Sequence, residues 1–279
     1  MSLFRHINSF SLLLSIAVFP IKGMKADDWR PESCEIIFGS FTAPNDYAYQ
    51  LTKEVESYQH SRKYRNKINE LRGEKFVNWE KGRIGEIASS LREIIIPGKT
   101  KSILDLGCAS GLITMYSYGL LTASATPTEI KESNTYFVKT AAHAIVGVEL
   151  VPGWVEEATR FAGNRVAFVE HDMTTVRLER TFDVIYLADS MEHIPKFRRQ
   201  PLWKVIAEHS HLGTDVYMHI PTPARQRKES RYPNNLRQHF EEIVLYPELD
   251  KEARCYGFIL QRLRVNEDTG YADVFFRKV

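Results

Sequence analysis

The stretch Ser102-Ile103-Leu104-Asp105-Leu106-Gly107-Cys108-Ala109-Ser110-Gly111 passes from a short apolar run into a loop of small residues. The run reads as a buried strand, and the residues after Gly111 read as a helix. Glycine lets a backbone turn sharply and come close to a nucleotide-like ligand where a Cβ atom would obstruct it. Asp105 stands two residues before Gly107, and the next apolar run, Ala144-Ile145-Val146-Gly147-Val148-Glu149-Leu150, closes on an acid. A carboxylate at that place accepts hydrogen bonds from two ribose hydroxyls and disfavours a 2′-phosphate. Diphosphate dinucleotides remain compatible with this much of the pattern.

Outward from this loop, SILDLG, AIVGVEL, VAFVEHD, FDVIYLAD and TDVYMHI are short apolar runs ending in acidic, glycine or proline punctuation, and each reads as a buried strand. GWVEEATRFAG and KFRRQPLWKVIAEH fall between them with helical spacing. This alternation predicts a mainly parallel, doubly wound α/β sheet covered on both faces. At the end of the chain, GFILQRLRV and YADVFFRKV flank the turn Asn266-Glu267-Asp268-Thr269-Gly270 and predict an antiparallel hairpin. Before them, NLRQHFEEIVLYPELDKEARCYG reads as a helical region interrupted around Tyr246-Pro247. Residues 45 to 95 are helical and charged in pattern, stopped by Pro97-Gly98. No internal repeat or low-complexity tract is found.

With 279 residues, 43% hydrophobic and 26% charged, the chain has the composition of an ordinary globular protein and the length of one large domain with additions. A formal charge of +2 gives no reason to expect a polyanion partner. Cys34, Cys108 and Cys255 are too few and scattered for a disulfide framework or a cysteine zinc site, although a bridge from Cys34 to Cys255 stays open. Arg5 and His6 precede the apolar stretch from Phe10 to Phe19, and Gly23 and Ala26 come before Asp27-Asp28. That order fits a secretory or organelle-targeting leader over residues 1–26; a core-packing N-terminus or a start at Met24, with a cytoplasmic protein, fits about equally. The apolar run is shorter than the roughly 20 residues a transmembrane helix needs. The expected organisation is therefore a leader (1–26), an N-terminal helical segment on the substrate side (27–98) and a ligand-binding domain (99–279).

Taken together, DLGCASG, GVELVPGWVEEA, VAFVEHDMTT and FDVIYLADSMEHIP resemble the ordered motifs of class I S-adenosylmethionine-dependent methyltransferases, from about Lys101 to Val279. The resemblance implies a Rossmann-like sheet and S-adenosyl-L-methionine as cofactor. It implies that Asp105 orients the amino-acid part of the cofactor through the loop or through water, and that Gly107 and Gly111 hug the methionine and ribose, with Cys108 and Ala109 between them. Glu149, followed by Leu150, would bind the ribose diol. Asp172 would contact the adenine amino group with Met173 against the ring, and Ala188 with Asp189 would lie beside the cofactor. Two features depart from the family pattern. Ala109 stands where the middle glycine is common, and Glu149 follows Gly107 by 42 positions, about twice the usual interval. An insertion near 122–138 is the implied cause, read either as a border of the substrate pocket or as an idle excursion.

Asp189-Ser190-Met191-Glu192-His193 projects from the carboxyl end of a strand, the side on which open α/β sheets bind ligands. One reading makes Asp189, Glu192 and His193 ligands of Mg²⁺, because their spacing resembles that of the polyprenyl-catechol O-methyltransferases of ubiquinone synthesis, with Asp189 in place of a glutamate. A second makes His193 a general base beside Asp189 without metal, and a third makes it a structural histidine. His219, Pro221 and His239 are candidate substrate contacts. Tyr47, Tyr49, Tyr58, Tyr64 and Trp79 read as core rather than as the roof of a pocket, and the run Arg62-Lys63-Tyr64-Arg65-Asn66-Lys67 reads as solvated helix surface, diluted by Glu54, Glu56, Glu70 and Glu74.

The expected activity is methyl transfer to an oxygen or nitrogen of a small aromatic or polar acceptor. An RNA-end or protein methyltransferase is a rival within enzymes, although no extended basic groove is written in the composition. A catalytically inactive cofactor-binding scaffold is the rival outside them. Oligomeric state is not encoded legibly.

Overall fold

In the computed structural model the described residues are 48, 51–53, 55–56, 82–121, 144–229 and 243–279, all within the unit Pro31–Val279. The leader, most of the N-terminal helical segment with its aromatic and basic residues, the insertion near 122–138, Cys34 and His239 lie outside the described residues.

The expected alternation is present. Helix α1 (Gly82–Ile94) leads into β1 (Ile103–Leu106), α2 (Leu112–Leu121), β2 (Ile145–Glu149), α3 (Pro152–Ala162), β3 (Ala167–Glu170) and β4 (Phe182–Ala188). A short 3₁₀ turn (Met191–His193), α4 (Lys196–Glu208), β5 (Ser210–Pro221), α5 (Pro223–Glu229), α6 (Tyr246–Arg254), β6 (Phe258–Asn266) and β7 (Tyr271–Lys278) complete it. The seven strands form one sheet in the order β3-β2-β1-β4-β5-β7-β6. Strands β1 to β5 run parallel, whereas β7 pairs antiparallel with both β5 and β6. The order reverses at β1, and this switch point between β1 and β4 is where the carboxyl ends of parallel strands leave a crevice for a ligand.

Both faces of the sheet are covered, which is why the central parallel strands β1, β2 and β4 are predominantly apolar rather than alternating. On one face Leu104, Leu106, Val148, Ile185, Leu187, Met218 and Phe276 pack with Leu202, Trp203 and Ile206 of α4 and Leu249 of α6. On the other, Ile103, Ile145, Val184, Tyr186 and Phe275 pack with Ile87 and Leu91 of α1 and Met115 and Tyr118 of α2. Trp203 is fully buried, edge-on to Phe276 with ring centroids 5.6 Å apart, and its indole N–H donates to Glu252 at 3.1 Å. Burial raises the Glu252 carboxyl, against the pull of Arg199 and the indole. Helix α6 begins at Tyr246-Pro247, with proline in the first turn, where its missing N–H costs no helical bond, and most of the stretch expected to be helical before it lies outside the described residues. Among the described residues no helix is long and apolar enough to cross a membrane.

Candidate functional site

The loop after β1 is tied to the end of β2 by its backbone. The N–H groups of Gly107 and Cys108 both donate to the carbonyl of Val148, at 2.8 and 3.0 Å. Three residues of the loop take a left-handed backbone in alternation, Gly107 (φ 81°), Ala109 (φ 49°) and Gly111 (φ 75°). At Gly107 glycine is obligatory for a second reason: a Cβ there would stand 2.4 Å from Oγ of Ser190, with Sδ of Met173 at 3.5 Å. At Gly111 the obstruction would be the ring of Phe168, 2.6 Å away, and the same ring would meet a Cβ on Gly147. Phe168 thus fills the space behind the loop, and Gly111 serves packing as well as curvature. Ala109 holds the family's middle-glycine position in a glycine-like conformation.

Glu149 closes this turn. Its Oε2 accepts the Ala109 N–H at 2.8 Å, and its Oε1 accepts the N–H groups of Leu150 and Val151 at 2.8 and 2.9 Å. The acid expected to meet a ribose diol therefore also joins the glycine loop to the start of α3. Val55, from the N-terminal segment, and Ala109 each pack against Val151 and Trp154.

Asp105 is buried and accepts the Thr114 hydroxyl at 2.6 Å, fastening the first turn of α2 to β1. Its register partner on β4 is Tyr186, whose phenol is driven well above its ordinary value by burial first and by the Asp105 charge next. Burial likewise raises the Cys108 thiol, reinforced by Asp105 and Glu149, so this cysteine packs as a protonated side chain.

At the other end, Asp172 Oδ1 accepts both the N–H and the hydroxyl of Thr174, at 2.8 and 2.7 Å. Oδ2 pairs with the guanidinium of Arg198 from α4, which also reaches the Thr174 hydroxyl. Sequence reasoning misses Arg198, because nothing local to α4 marks it as facing the end of β3.

Asp189, Glu192 and His193 do follow the carboxyl end of β4, but they do not converge on one point. His193 Nε2 lies 3.7 Å from Glu192 Oε1. The Asp189 carboxylate instead meets Nδ1 of His219, at 2.6 Å. Among the described residues no three His, Cys, Asp or Glu side chains form a group able to hold a metal ion. The expectation of Mg²⁺ on these residues finds no support: Oδ1 of Asp189 is engaged by the His219 imidazole, and Glu192 and His193 do not join Asp189 in one ligand group. Ala188 and His219 are register partners across β4 and β5, which brings the two strand ends together. Ser190, next in the chain, donates its hydroxyl to the Gly107 carbonyl at 3.3 Å, so this segment lies against the glycine loop.

The architecture is shared with solved structures. The chain superposes on a crystal structure from Pyrococcus horikoshii with TM-score 0.57 and 14% identity over 80% of this chain and 99% of that one. DhpI in complex with SAH matches with TM-score 0.54 and 17% identity over 82% and 98% of the two chains. The magnesium protoporphyrin IX methyltransferase ChlM from Synechocystis, also with bound SAH, matches with TM-score 0.52 and 14% identity over 82% and 100%. No family model matches the chain, and no curated protein matches its sequence. The fold is that of the class I S-adenosylmethionine-dependent methyltransferases.

Proposed function

We propose that the protein transfers the methyl group of S-adenosyl-L-methionine to an oxygen or nitrogen of a small aromatic or polar acceptor. The observation that carries this reading is the turn after β1, with left-handed backbone at Gly107, Ala109 and Gly111 and a 2.8 Å link from Ala109 to the acid ending β2. Without a Cβ at Gly107, Ser190 packs directly on the loop and donates to its carbonyl, which draws the end of β4 against the glycine turn at the switch point of the sheet, the place that suits an adenosyl ligand. The structural likeness to DhpI and ChlM, both with SAH bound, supports the same cofactor.

In this reading Gly107, Cys108, Ala109 and Gly111 bring the backbone against the amino-acid and ribose parts, and Asp105 holds that loop through Thr114. Glu149 and Leu150 take the ribose end, and Asp172 and Met173 the adenine, with Arg198 restraining the Asp172 carboxylate. When bound, S-adenosylmethionine supplies a methyl group on a good leaving group, so the protein's task is alignment of the acceptor and removal of its proton. Asp189 and His193, beyond the end of β4, are the groups assigned to that proton. Val55 packs on the same Val151-Trp154 pair as Ala109, which supports the N-terminal segment as a cover beside the cofactor loop. The name of ChlM gives that enzyme a porphyrin substrate, and this supports a small-molecule acceptor here.

Isothermal titration of S-adenosylmethionine into the full chain, with NADH as the control ligand, tests the reading. Micromolar affinity for S-adenosylmethionine alone is expected. A folded protein that binds neither, or binds NADH, would remove it.

A further inference from the structure

His219 is 1% exposed and stands between two carboxylates contributed by different elements. Its Nδ1 lies 2.6 Å from Oδ1 of Asp189, and because an ionised carboxylate only accepts, the ring hydrogen sits on Nδ1. The backbone N–H of Asp189 donates in turn to the His219 carbonyl at 2.9 Å. Asp189 is thus gripped at both its backbone and its side chain while holding a left-handed conformation, φ 55°. On the far side, Nε2 of His219 lies 3.7 Å from Oε2 of Glu86 on α1. Glu86 is itself fixed, accepting from the Asn266 amide at 2.6 Å and the Thr269 hydroxyl at 3.1 Å. The imidazole stacks on Tyr271 with centroids 4.6 Å apart, and the guanidinium of Arg225 lies over that phenol ring at 4.3 Å.

We propose that His219 is the positioning residue of this site, holding the Asp189 carboxylate in one orientation beside the glycine loop, while the Glu86 carboxylate of α1 faces the other side of the ring at 3.7 Å. A packing histidine would need neither a 2.6 Å bond to an acid nor a partner in the left-handed region. The arrangement suits a nucleophile bearing a hydrogen, an amine or a hydroxyl, whose N–H or O–H is directed at a carboxylate that does not swing. The inference rests on the methyltransferase reading for the identity of the acceptor, and on geometry alone for the Glu86-His219-Asp189 unit.

The test uses ¹⁵N-labelled full-length protein and follows the histidine ring N–H signals by NMR, with S-adenosylhomocysteine as the added probe. A slowly exchanging Nδ1–H signal, absent in His219→Leu, is expected. It should shift by more than its line width in Asp189→Asn, in Glu86→Gln and on saturation with S-adenosylhomocysteine. Asparagine tolerates the left-handed backbone at 189, and glutamine can keep hydrogen bonds to Asn266 and Thr269, so both variants should fold; unchanged thermal midpoints would verify it. A His219→Asn variant, whose amide places a donor near the former Nδ1, should keep the Asp189 backbone amide signal at its wild-type position, whereas His219→Leu should move it. An Nδ1–H signal indifferent to Asp189→Asn would overturn the proposal. So would one indifferent to S-adenosylhomocysteine in protein that calorimetry shows to bind it. Failure of wild-type protein to bind the probe at all would instead count against the methyltransferase reading, leaving Asp189→Asn to judge the unit.

Discussion

The backbone N–H of Ala109 donates to Oε2 of Glu149 at 2.8 Å, so the turn after β1 is locked to the acid that ends β2. Two further N–H groups, of Leu150 and Val151, converge on the same carboxylate. Its removal therefore has two effects at once. Glu149→Ala should lower stability by about 1–3 kcal/mol, the usual cost of stranding buried donors, and should weaken S-adenosylmethionine binding at least about tenfold. Urea unfolding and calorimetry on the same preparation check this, and normal affinity in the variant would remove Glu149 from the pocket.

Gly107 and Ala109 share a left-handed backbone but differ in what surrounds them. Gly107→Ala places a Cβ 2.4 Å from the Ser190 hydroxyl and should lose cofactor binding together with about 1–3 kcal/mol of stability. At position 109 the conformation already carries a Cβ, so Ala109→Gly should relieve strain and loosen the unfolded chain by similar amounts. The net change should stay within about 0.5 kcal/mol, with binding kept. Urea unfolding and calorimetry of the two variants side by side check the contrast.

His209 makes stability depend on pH. Its Nε2 accepts the Leu178 N–H at 2.9 Å and its Nδ1 donates to the Val205 carbonyl at 2.7 Å, an arrangement that needs the neutral ring. Burial pushes its pKa down, outweighing the Val205 carbonyl, and the charge of Arg177 acts in the same direction as burial. The unfolded chain thus binds this proton more readily than the folded one, so the contribution is fully present above the ordinary value of 6.5 and is lost as pH falls below it. The thermal midpoint should drop between about pH 7.5 and about pH 5, with a shallower slope in His209→Gln; equal slopes would exclude His209 as the source.

Trp203 joins α4 to the sheet and to α6. Trp203→Ala should cost about 3–5 kcal/mol by urea unfolding, the range for deleting a large buried ring. Trp203→Phe keeps a ring beside Phe276 and removes the indole bond to Glu252, which Arg199 still faces, so it should cost less than half as much.

The strands, the glycine loop and the terminal hairpin can be read from the chain because their signals are local: apolar runs with acidic or glycine endings, and small residues where a Cβ cannot stand. Glu149 is legible for the same reason. Glu86, Arg198 and Tyr271 are not, because each reaches the site from an element distant in sequence. His219 is visible only as a candidate contact, since its pairing with Asp189 depends on the alignment of β4 with β5. The metal reading of Asp189, Glu192 and His193 comes from spacing along the chain, which says nothing of the direction in which the Asp189 carboxylate points.

Strand β7 comes after β6 in the chain yet lies between β5 and β6 in the sheet. A protein cleaved in the turn 266–270 and stripped of β7 would present a slot one strand wide, edged by two unsatisfied ladders and bordered on β5 by Val216, Tyr217 and Met218, the register partners of Phe276, Phe275 and Val274. A peptide with the sequence of Tyr271–Lys278 is shaped to fill it, which makes assembly of the whole sheet, and of the His219 site beside Tyr271, something that can be switched on by adding a second molecule.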